Sequence, residues 1–529
     1  MSAHLDELLS RAAAESPDRV ALVEATSGRR VTWAELDAEV DRVAQGLTGR
    51  GLVAGYRVVV ALANRTEFVT SYLGVLRAGL VAVPVNSRSA TGELVRVLAD
   101  CGARLVVADG STVTTVRQAV AGLEDALVGA DEELRRRTPV PRVVVVGAPA
   151  VPGETAYDDL LAADRAAIGT FADPERLAVL LYTSGTSGRP RAAMLSHRAL
   201  LANIEQAAAV EPPMLTGDDV VFGVLPLFHV YGLNAVLGQV LRQGCRLVLV
   251  DGFDMEDSLA VIEDEAVSVL PVAPPVFAYW QAVPDLRDRL SGVRLALSGS
   301  APLSTELVRA FSERTGIEVH QGYGLTEAAP VVTSTLLSAH PKPGSVGAAL
   351  PGIEVRLVDE AGSAPEGEDA GEIHVRGANL FSGWWPDGAD GPDAEGWYAT
   401  GDVGFLDPDG DLFLVDRLKE LVIVSGFNVY PSEVEDVIAE LPEVAEAAVI
   451  GVEDPETGEA VVAYVKPTTA GASDALVDVV RRHCEDRLAR FKQPTTIHVV
   501  DELPYTVTGK VQKGRLRATE RRRALGLLE

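Results

Sequence analysis

Cysteine is scarce in this chain of 529 residues: there are three, Cys101, Cys245 and Cys484, far apart and without CxxC spacing. That pattern reads as buried, reduced thiols in a cytosolic protein rather than a disulfide framework. Eight histidines are scattered with no HExxH, so no cluster of metal ligands is visible. Positive charge is also short, with 47 basic against 76 acidic residues and a formal net charge of −29. Such a balance repels nucleic acid and anionic membrane surfaces and favours solubility, without forbidding a local basic site for an anionic cofactor. No run of about 18 apolar residues is present, so no membrane span is expected. The N-terminus, MSAHLDELLSRAAAESPDR, reads as an amphipathic helix containing acids and lacks a signal peptide's basic start and apolar middle. There is no internal repeat, and the acidic stretch Pro365 to Gly371 reads as a loop. A cytoplasmic location is expected.

What is present is ample apolar material, 47% of residues, and a length that corresponds to roughly three to four domain-sized units. Thr32 and Glu35 form a capping-box pattern before a helix reaching about Gly49. Aliphatic strands at Arg57–Ala63, Leu80–Val85 and Ala103–Ala108 alternate with helices at Glu67–Ala78 and Thr91–Asp100. Short aliphatic strands separated by helices imply a parallel sheet covered on both faces. Thr112 to Asp173 is less regular, with one clear strand, Arg142–Val146. Further strands follow at Val220–Val224, Arg246–Val250, Val267–Leu270 and Val293–Leu297. From Ser345 to Gly410 the composition turns to Gly, Asp and Pro, with strands such as Glu354–Val358 and Glu372–Val375, which suggests a twisted antiparallel barrel or sheet. After about Asp416 the pattern is that of a small α+β domain, ending in a basic, solvated helix over Arg515–Arg523.

Six stretches carry the chemistry. The first is YTSGTSGRPRAAMLSH, Tyr182 to His197, which follows an aliphatic run and precedes a helix-like segment from Ser196. Gly185 and Gly188 let backbone bend close to a ligand, and Thr183, Ser184, Thr186 and Ser187 supply hydroxyls. A strand leading into such a loop can hold phosphate oxygens. It is not a Walker A loop, because no Gly-Lys-Ser/Thr follows, and an ordinary surface turn has the same composition. The others are SGSAPL (Ser298–Leu303), QGYGLTE (Gln321–Glu327), YATGD (Tyr398–Asp402), DRLKELVIVSGFNVYPSEVE (Asp416–Glu435) and LPYTVTGKVQKGRLR (Leu503–Arg517), while the strand Val220–Val224 ends in LPLFHVYGLN (Leu225–Asn234). Tyr323 offers a flat face for a base, and Thr326 and Glu327 can meet a phosphate and a hard cation. Asp402 can accept from ribose hydroxyls, and Lys510 lies on a Gly-containing turn. Each also has a plain structural reading: Glu327 as a helix N-terminal acid, Asp402 as a turn residue, Lys510 as a surface lysine.

In this order and spacing the stretches resemble the adenylate-forming superfamily of acyl-CoA synthetases, luciferases and peptide-synthetase adenylation domains, over nearly the whole chain. The resemblance implies an α/β fold: a large N-terminal AMP-binding domain (1–416) of doubly wound sheets with a small β-barrel-like subdomain, then a small mobile α+β domain (417–529). It implies ATP/AMP, Mg²⁺ and coenzyme A as cofactors. The loop Thr183, Ser184, Gly185, Thr186, Ser187, Gly188 and Arg191 would grip the β- and γ-phosphates. Gly322, Tyr323 and Gly324 would lie at the adenine, with Ser298, Gly299, Ser300 and Ala301 beside it. Thr326 would touch the α-phosphate and Glu327 would hold Mg²⁺. Asp402 and Arg417 would bind ribose. Lys510 would bridge the substrate carboxylate and α-phosphate, Lys419 would be the hinge, His229 would sit at the acyl pocket and Gly426 would line the thiol entrance.

The resemblance also narrows the substrate. Amino-acid-activating members carry an Asp just after the His229-type position, and FHVYGLN has no acid there to pair an ammonium. Leu233, Val236, Leu237, Val272 and Val276 suggest an apolar acyl pocket, so a hydrophobic carboxylic acid is expected, unless these five simply pack the core. The pattern breaks where the family's Pro-Lys-Gly reads Pro190-Arg191-Ala192, and at Ser300, where Gly or Ala is common. Arginine changes donor geometry. Alanine costs roughly 1 kcal/mol or more if the position needs positive φ. Three functions follow: a complete acyl-CoA ligase, a thioesterifying enzyme fed an acyl-adenylate by a partner ligase, or a non-catalytic acyl- or nucleotide-binding protein.

Overall fold

The computed structural model describes residues 3–123, 127–128, 132–162, 168–169, 171–183, 191–301, 303–359, 362–365, 370–417, 420–424, 427–454, 457–469, 474–488, 490–506 and 509–524. The chain divides into two compact units. One comprises Met1–Pro343 with Gly347–Glu354 and Arg376–Tyr398, the other Gly344–Val346 with Val355–Val375 and Ala399–Glu529.

The first unit contains two seven-stranded sheets of the same design. One runs Thr155–Ala156, Arg142–Val146, Leu105–Asp109, Arg57–Ala61, Val81–Pro84, Leu177–Thr183, Arg191–Ser196 across its width. Neighbours are parallel except the last pair, which is antiparallel. The other runs Val319–Gln321, Leu295–Ser298, Val269–Val272, Val220–Gly223, Arg246–Leu249, Val20–Glu24, Arg30–Thr32, again parallel except at the last pair. Central strands such as Arg57–Ala61 bury Val58, Val59 and Val60 completely, as strands covered on both faces must. The helix Trp33–Gly49 starts at the expected capping box: Thr32 Oγ1 accepts from the Glu35 N–H at 3.3 Å, and the Glu35 carboxylate accepts from the Thr32 N–H at 2.9 Å. Ser196 likewise caps His197–Ala208, accepting from the Ala199 N–H at 3.2 Å.

Thr112 to Asp173 holds more structure than its sequence suggests. Helices Val113–Ala121, Glu132–Arg137 and Tyr157–Leu161 and the two-residue strand Thr155–Ala156 join Arg142–Val146. These elements are too short for a legible period and depend on tertiary packing. Val116 and Ala119 are fully buried, and the Tyr157 phenol is hydrogen-bonded to the Thr70 hydroxyl at 2.6 Å.

In the second unit, the strands Leu412–Arg417, Trp397–Leu406, Gly371–Gly377 and Ile353–Val358 lie in that order in one sheet, with parts of the latter three reaching into the first unit. A further sheet orders Phe427–Val429, Val422–Val424, Gly458–Pro467 and Val444–Asp454, with Thr496–Val499 parallel to Gly458–Pro467. Val434 and Ile438 of helix Pro431–Ala439, with Leu476 and Val480 of helix Asp474–Arg487, close its core. The basic helix Lys513–Ala524 is not wholly solvated: Leu516 is buried, and Glu520 accepts a hydrogen bond from the Tyr464 hydroxyl. No helix among the described residues is long and apolar enough to cross a membrane.

Asp219 anchors the start of Val220–Gly223. It accepts from Arg294 Nε at 2.8 Å and Nη2 at 2.6 Å, from the Ser268 hydroxyl at 2.8 Å and from the Thr216 N–H at 2.7 Å. Burial alone would raise its pKa, but the Arg294 fork and the other donors hold it at about 2, against 3.8 for the free group. A depressed carboxylate stabilises the fold above its unfolded pKa, and that contribution fades as pH falls from about 4 to about 2. Asp219→Ala removes the buried acceptor of several donors, while the Arg294 side chain, 41% exposed, stays solvated; the expected cost is about 1–3 kcal/mol at pH 7 in urea unfolding, with the deficit shrinking towards pH 3.

Candidate active site

Two of the chemical stretches are brought together by strand register. Ser298 ends one parallel strand and pairs with Gln321 at the end of its neighbour, so Ser298–Ala301 and Gly322–Gly324 leave the same sheet edge side by side. Ligands in open α/β sheets bind at such strand ends. Ser298 is 5% exposed, and its hydroxyl has no hydrogen-bond partner among the described residues. A buried hydroxyl without a partner costs about 1–3 kcal/mol, which a bound polar group relieves. Tyr323 is buried, and its backbone pairs with the Thr333 segment: its carbonyl accepts from Val332 N–H at 2.9 Å. The flanking glycines are required by this hairpin. A Cβ at Gly322 would meet the Thr333 carbonyl at 2.6 Å, and one at Gly324 the Pro330 carbonyl at 2.3 Å.

The turn Thr326–Ala328 follows, and Ala329 takes a left-handed φ of 62° to end it. Three buried asparagines that sequence reading missed hold this turn. Asn379 Nδ2 donates to the Ala328 carbonyl at 2.7 Å, and Asn234 Nδ2 to the Ala329 carbonyl at 2.6 Å. Asn203 pairs with both polar groups of the Val331 backbone, donating to its carbonyl at 2.7 Å and accepting from its N–H at 3.0 Å. Their signal was an amide in apolar company, as at Asn234 within LPLFHVYGLN. An amide there is costly unless paired with backbone.

The same turn is tied to the base of the expected phosphate loop. Phe381 N–H donates to the Glu327 carbonyl at 2.8 Å, Ser382 N–H to Met194 at 2.9 Å and Trp385 N–H to Ala192 at 2.9 Å. Ser184, Gly185, Thr186, Ser187 and Gly188 lie outside the described residues. The hairpin beneath is described: Thr183 pairs with Arg191 and Tyr182 with Ala192 in a regular antiparallel ladder. Ala192 is therefore a strand residue without positive φ, and the strain expected of alanine there does not arise. Positive φ falls instead on Ser300, at 75°. Arg191 Nη2 donates to Asp390 Oδ2 at 2.6 Å, and its guanidinium carbon lies 4.5 Å from the Trp384 ring centroid.

The LPLFHVYGLN stretch runs into a π-helix, Tyr231–Gly238. Such turns recur at functional sites. His229 Nδ1 accepts from the Tyr231 N–H at 3.3 Å, which leaves the ring proton of the neutral imidazole on Nε2. The Tyr231 ring packs against Gly299, where a Cβ would stand 3.0 Å from the ring, so the His229 segment and the Ser298–Ala301 stretch are neighbours. Leu233, Val236 and Leu237 belong to one hydrophobic core and Val272 and Val276 to another, so core packing accounts for all five.

Within the second unit, Asp402 and Arg417 face each other across the ladder of Trp397–Leu406 and Leu412–Arg417. The Gly401 N–H donates to the Glu372 carboxylate at 3.0 Å, and Asp402 N–H to the Thr400 hydroxyl at 3.1 Å, fixing the strand backbone at Asp402. Lys510 sits on a tight loop: its N–H donates to the Thr506 hydroxyl at 3.0 Å, Thr506 N–H donates to its carbonyl at 2.7 Å, and Gly509 takes a φ of 81°. Lys419 and Gly426 lie outside the described residues.

A family profile described as AMP-binding enzyme matches residues 9–385, and one described as AMP-binding enzyme C-terminal domain matches residues 433–510. The chain belongs to the AMP-binding enzymes. Its relatives place it in the acyl-CoA ligase branch of this adenylate-forming superfamily. It is 35% identical to 4-coumarate--CoA ligase-like 9 of Oryza sativa subsp. japonica, over 94% of this chain and 90% of the relative. It is 37% identical to the 3-[(3aS,4S,7aS)-7a-methyl-1,5-dioxo-octahydro-1H-inden-4-yl]propanoyl:CoA ligase of Rhodococcus jostii (strain RHA1), over 96% of this chain and 97% of the relative. Its fold matches the crystal structure of the anthranilate CoA ligase AuaEII in complex with anthranoyl-AMP, with a TM-score of 0.85 and 27% identity, over 99% of this chain and 100% of that one.

For an AMP-binding enzyme, the amide-clamped turn holds the residues expected at the α-phosphate. Asn379→Ala removes the donor to the Ala328 carbonyl and is expected to destabilise by about 1–3 kcal/mol in urea unfolding, and to reduce pyrophosphate release from ATP and acid at temperatures where the variant is folded. Ser300→Gly removes the left-handed strain of an L-residue, and the added chain entropy of glycine offsets part of the gain. The expected net is a stabilisation of up to about 1 kcal/mol by the same measurement.

Proposed function

We propose that the protein is an acyl-CoA ligase that converts a hydrophobic carboxylic acid to its CoA thioester through an acyl-adenylate, with rotation of residues 417–529 about Lys419 between the half-reactions. The observation that carries the substrate reading is the Tyr231–Gly299 contact, which joins the His229 segment to the strand-end stretch. Neither Leu225–Asn234 nor Ser298–Ala301 contains an acid, so an amino-acid ammonium would have no carboxylate partner from these stretches. The names of the relatives, which include acids with aromatic and alicyclic bodies, support the same class.

In the first half-reaction a substrate carboxylate oxygen attacks the α-phosphorus and the bond to pyrophosphate breaks. No enzyme nucleophile is needed, so the residues align groups and offset negative charge. Lys510 bridges the carboxylate and α-phosphate, Thr326 contacts the α-phosphate, and Asp402 and Arg417 hold the ribose. His229, with its proton on Nε2, donates to an oxygen of the acid. Glu327 fits Mg²⁺ by its chemistry: a single carboxylate oxygen donor at the turn Thr326–Ala328 would hold the ion, which is commonly bound through one or two carboxylates together with substrate phosphates. An ion held there would supply charge neutralisation to the triphosphate. In the second half-reaction the domain turns and Lys510 withdraws; the CoA thiol, entering past Gly426, gives its proton to solvent, its sulfur bonds the acyl carbon, and the bond from that carbon to the AMP oxygen breaks with AMP taking the pair. The three free, buried cysteines are in keeping with a reducing, cytoplasmic setting.

Ala192 in a regular ladder gives no observation in favour of the thioesterification-only reading. Two assays separate the possibilities: free acid with ATP and CoA, and synthetic acyl-adenylate with CoA. Thioester from both supports the complete ligase, from the adenylate alone an enzyme fed by another ligase, and from neither a binding protein. Lys510→Ala is expected to abolish adenylation while sparing thioester formation from preformed adenylate; equal loss of both would contradict domain rotation.

A further inference from the structure

Arg191 stands where the phosphate loop ends, and its side chain already has a partner. Nη2 reaches Asp390 Oδ2 at 2.6 Å, while the guanidinium lies over Trp384, 4.5 Å from the ring centroid. Nε and Nη1 make no hydrogen bond among the described residues. The cation is thus stacked on one face and bonded at one corner, with the rest of its donor fork open. We propose that Asp390 is a positioning residue that competes with nucleotide phosphate for Arg191: it holds the guanidinium before ATP enters and yields it to the triphosphate, with Trp384 as the platform on which the group pivots.

Three features carry this. The first is cost. The Arg191 and Asp390 side chains are 41% and 71% exposed, and an ion pair so solvated contributes little net, so exchanging it for a better anion is easy. A triphosphate is that anion, since it carries more charge and accepts two parallel N–H bonds from a guanidinium. The second is rigidity on one side only. Asp390 follows a closed turn, in which Trp384 N–H donates to Ala389 at 3.0 Å and Gly388 N–H to Trp384 at 2.8 Å. Asp390 itself takes φ of 52°, a left-handed value that Asp tolerates better than most residues. The turn holds the Asp390 backbone, and the short Asp390 side chain has little reach from it, whereas the long Arg191 side chain can re-aim its fork while stacked on Trp384. The third is residue type. Lysine, the family's residue at this position, has no planar face to stack and presents a point charge, whereas arginine keeps its contact with Trp384 whichever anion it faces. The departure at Arg191 then retunes nucleotide affinity instead of abolishing adenylation.

The proposal rests on the reading of residues 184–190 as the phosphate loop, and the test keeps the two apart. Equilibrium binding of α,β-methylene ATP by calorimetry, and the KM values for ATP, acid and CoA, are measured for wild type, Asp390→Asn, Asp390→Glu, Arg191→Ala and Arg191→Ala/Asp390→Asn. Asp390→Asn is expected to tighten the analogue and lower the KM for ATP by about 2- to 5-fold, the worth of an exposed ion pair, with kcat and the other KM values unchanged. Asp390→Glu should restore wild-type affinity, and Asp390→Asn should have no effect once Arg191 is alanine. If Arg191→Ala weakens ATP binding while Asp390→Asn does not tighten it, the competition is wrong and the phosphate loop stands. The same tightening by Asp390→Asn in both backgrounds also overturns the competition. If Arg191→Ala leaves ATP affinity unchanged, both fall.

Discussion

The strap Phe381–Trp385 is the constraint on which the candidate site of the first unit depends. It donates on one side to the Glu327 carbonyl and on the other to Met194 and Ala192. Glu327 follows a strand of one seven-stranded sheet and Met194 lies in the other. A few backbone hydrogen bonds therefore set the distance between the turn expected at the α-phosphate and the hairpin beneath the expected phosphate loop. The bonds use main-chain groups, but the strap's residue types are also constrained: Phe381 and Trp384 are buried in the core, and a Cβ at Gly383 would stand 2.1 Å from the Gly388 carbonyl oxygen. The arrangement does not tolerate loss of the buried amides that hold the other side of the turn.

Those amides show how the protein meets a recurring difficulty at such sites. A loop that must approach a polar ligand cannot satisfy its own carbonyls within a helix or ladder, and burying them unpaired is costly. Asn203, Asn234 and Asn379 supply the missing partners from separate parts of the chain. The Ser298 hydroxyl at the adjacent strand end has no hydrogen-bond partner among the described residues, so it is free to take one from a ligand there. With a net charge of −29, a chain that binds a polyanion must do so through local cations, and Arg191 and Lys510 are the residues expected in that role.

The departures from the family pattern change weight once geometry is known. Ala192, where strain was expected, lies in an unremarkable ladder opposite Tyr182, while Ser300 carries the left-handed backbone. The substitution at Arg191 acquires a physical context in Trp384 and Asp390, nearly 200 residues away in sequence. The valines and leucines expected to line an acyl pocket instead fill two cores, because apolar character alone does not distinguish a wall from a filling.

What the sequence determined by itself was local and periodic. The alternation of buried strands with helices, the Thr32 capping box and the Ser196 cap were legible because neighbouring residues decide them. So were the motifs, which are runs of adjacent residues, and with them the family. Tertiary structure alone decided which motifs share a sheet edge, through the Ser298–Gln321 register, and that Asp402 faces Arg417 across a ladder. It alone decided which carbonyls need a distant asparagine, and that Arg191 meets Asp390. The physical reason is the same in each case: these are pairings between residues far apart in sequence, and their energies exist only after the chain has closed its loops.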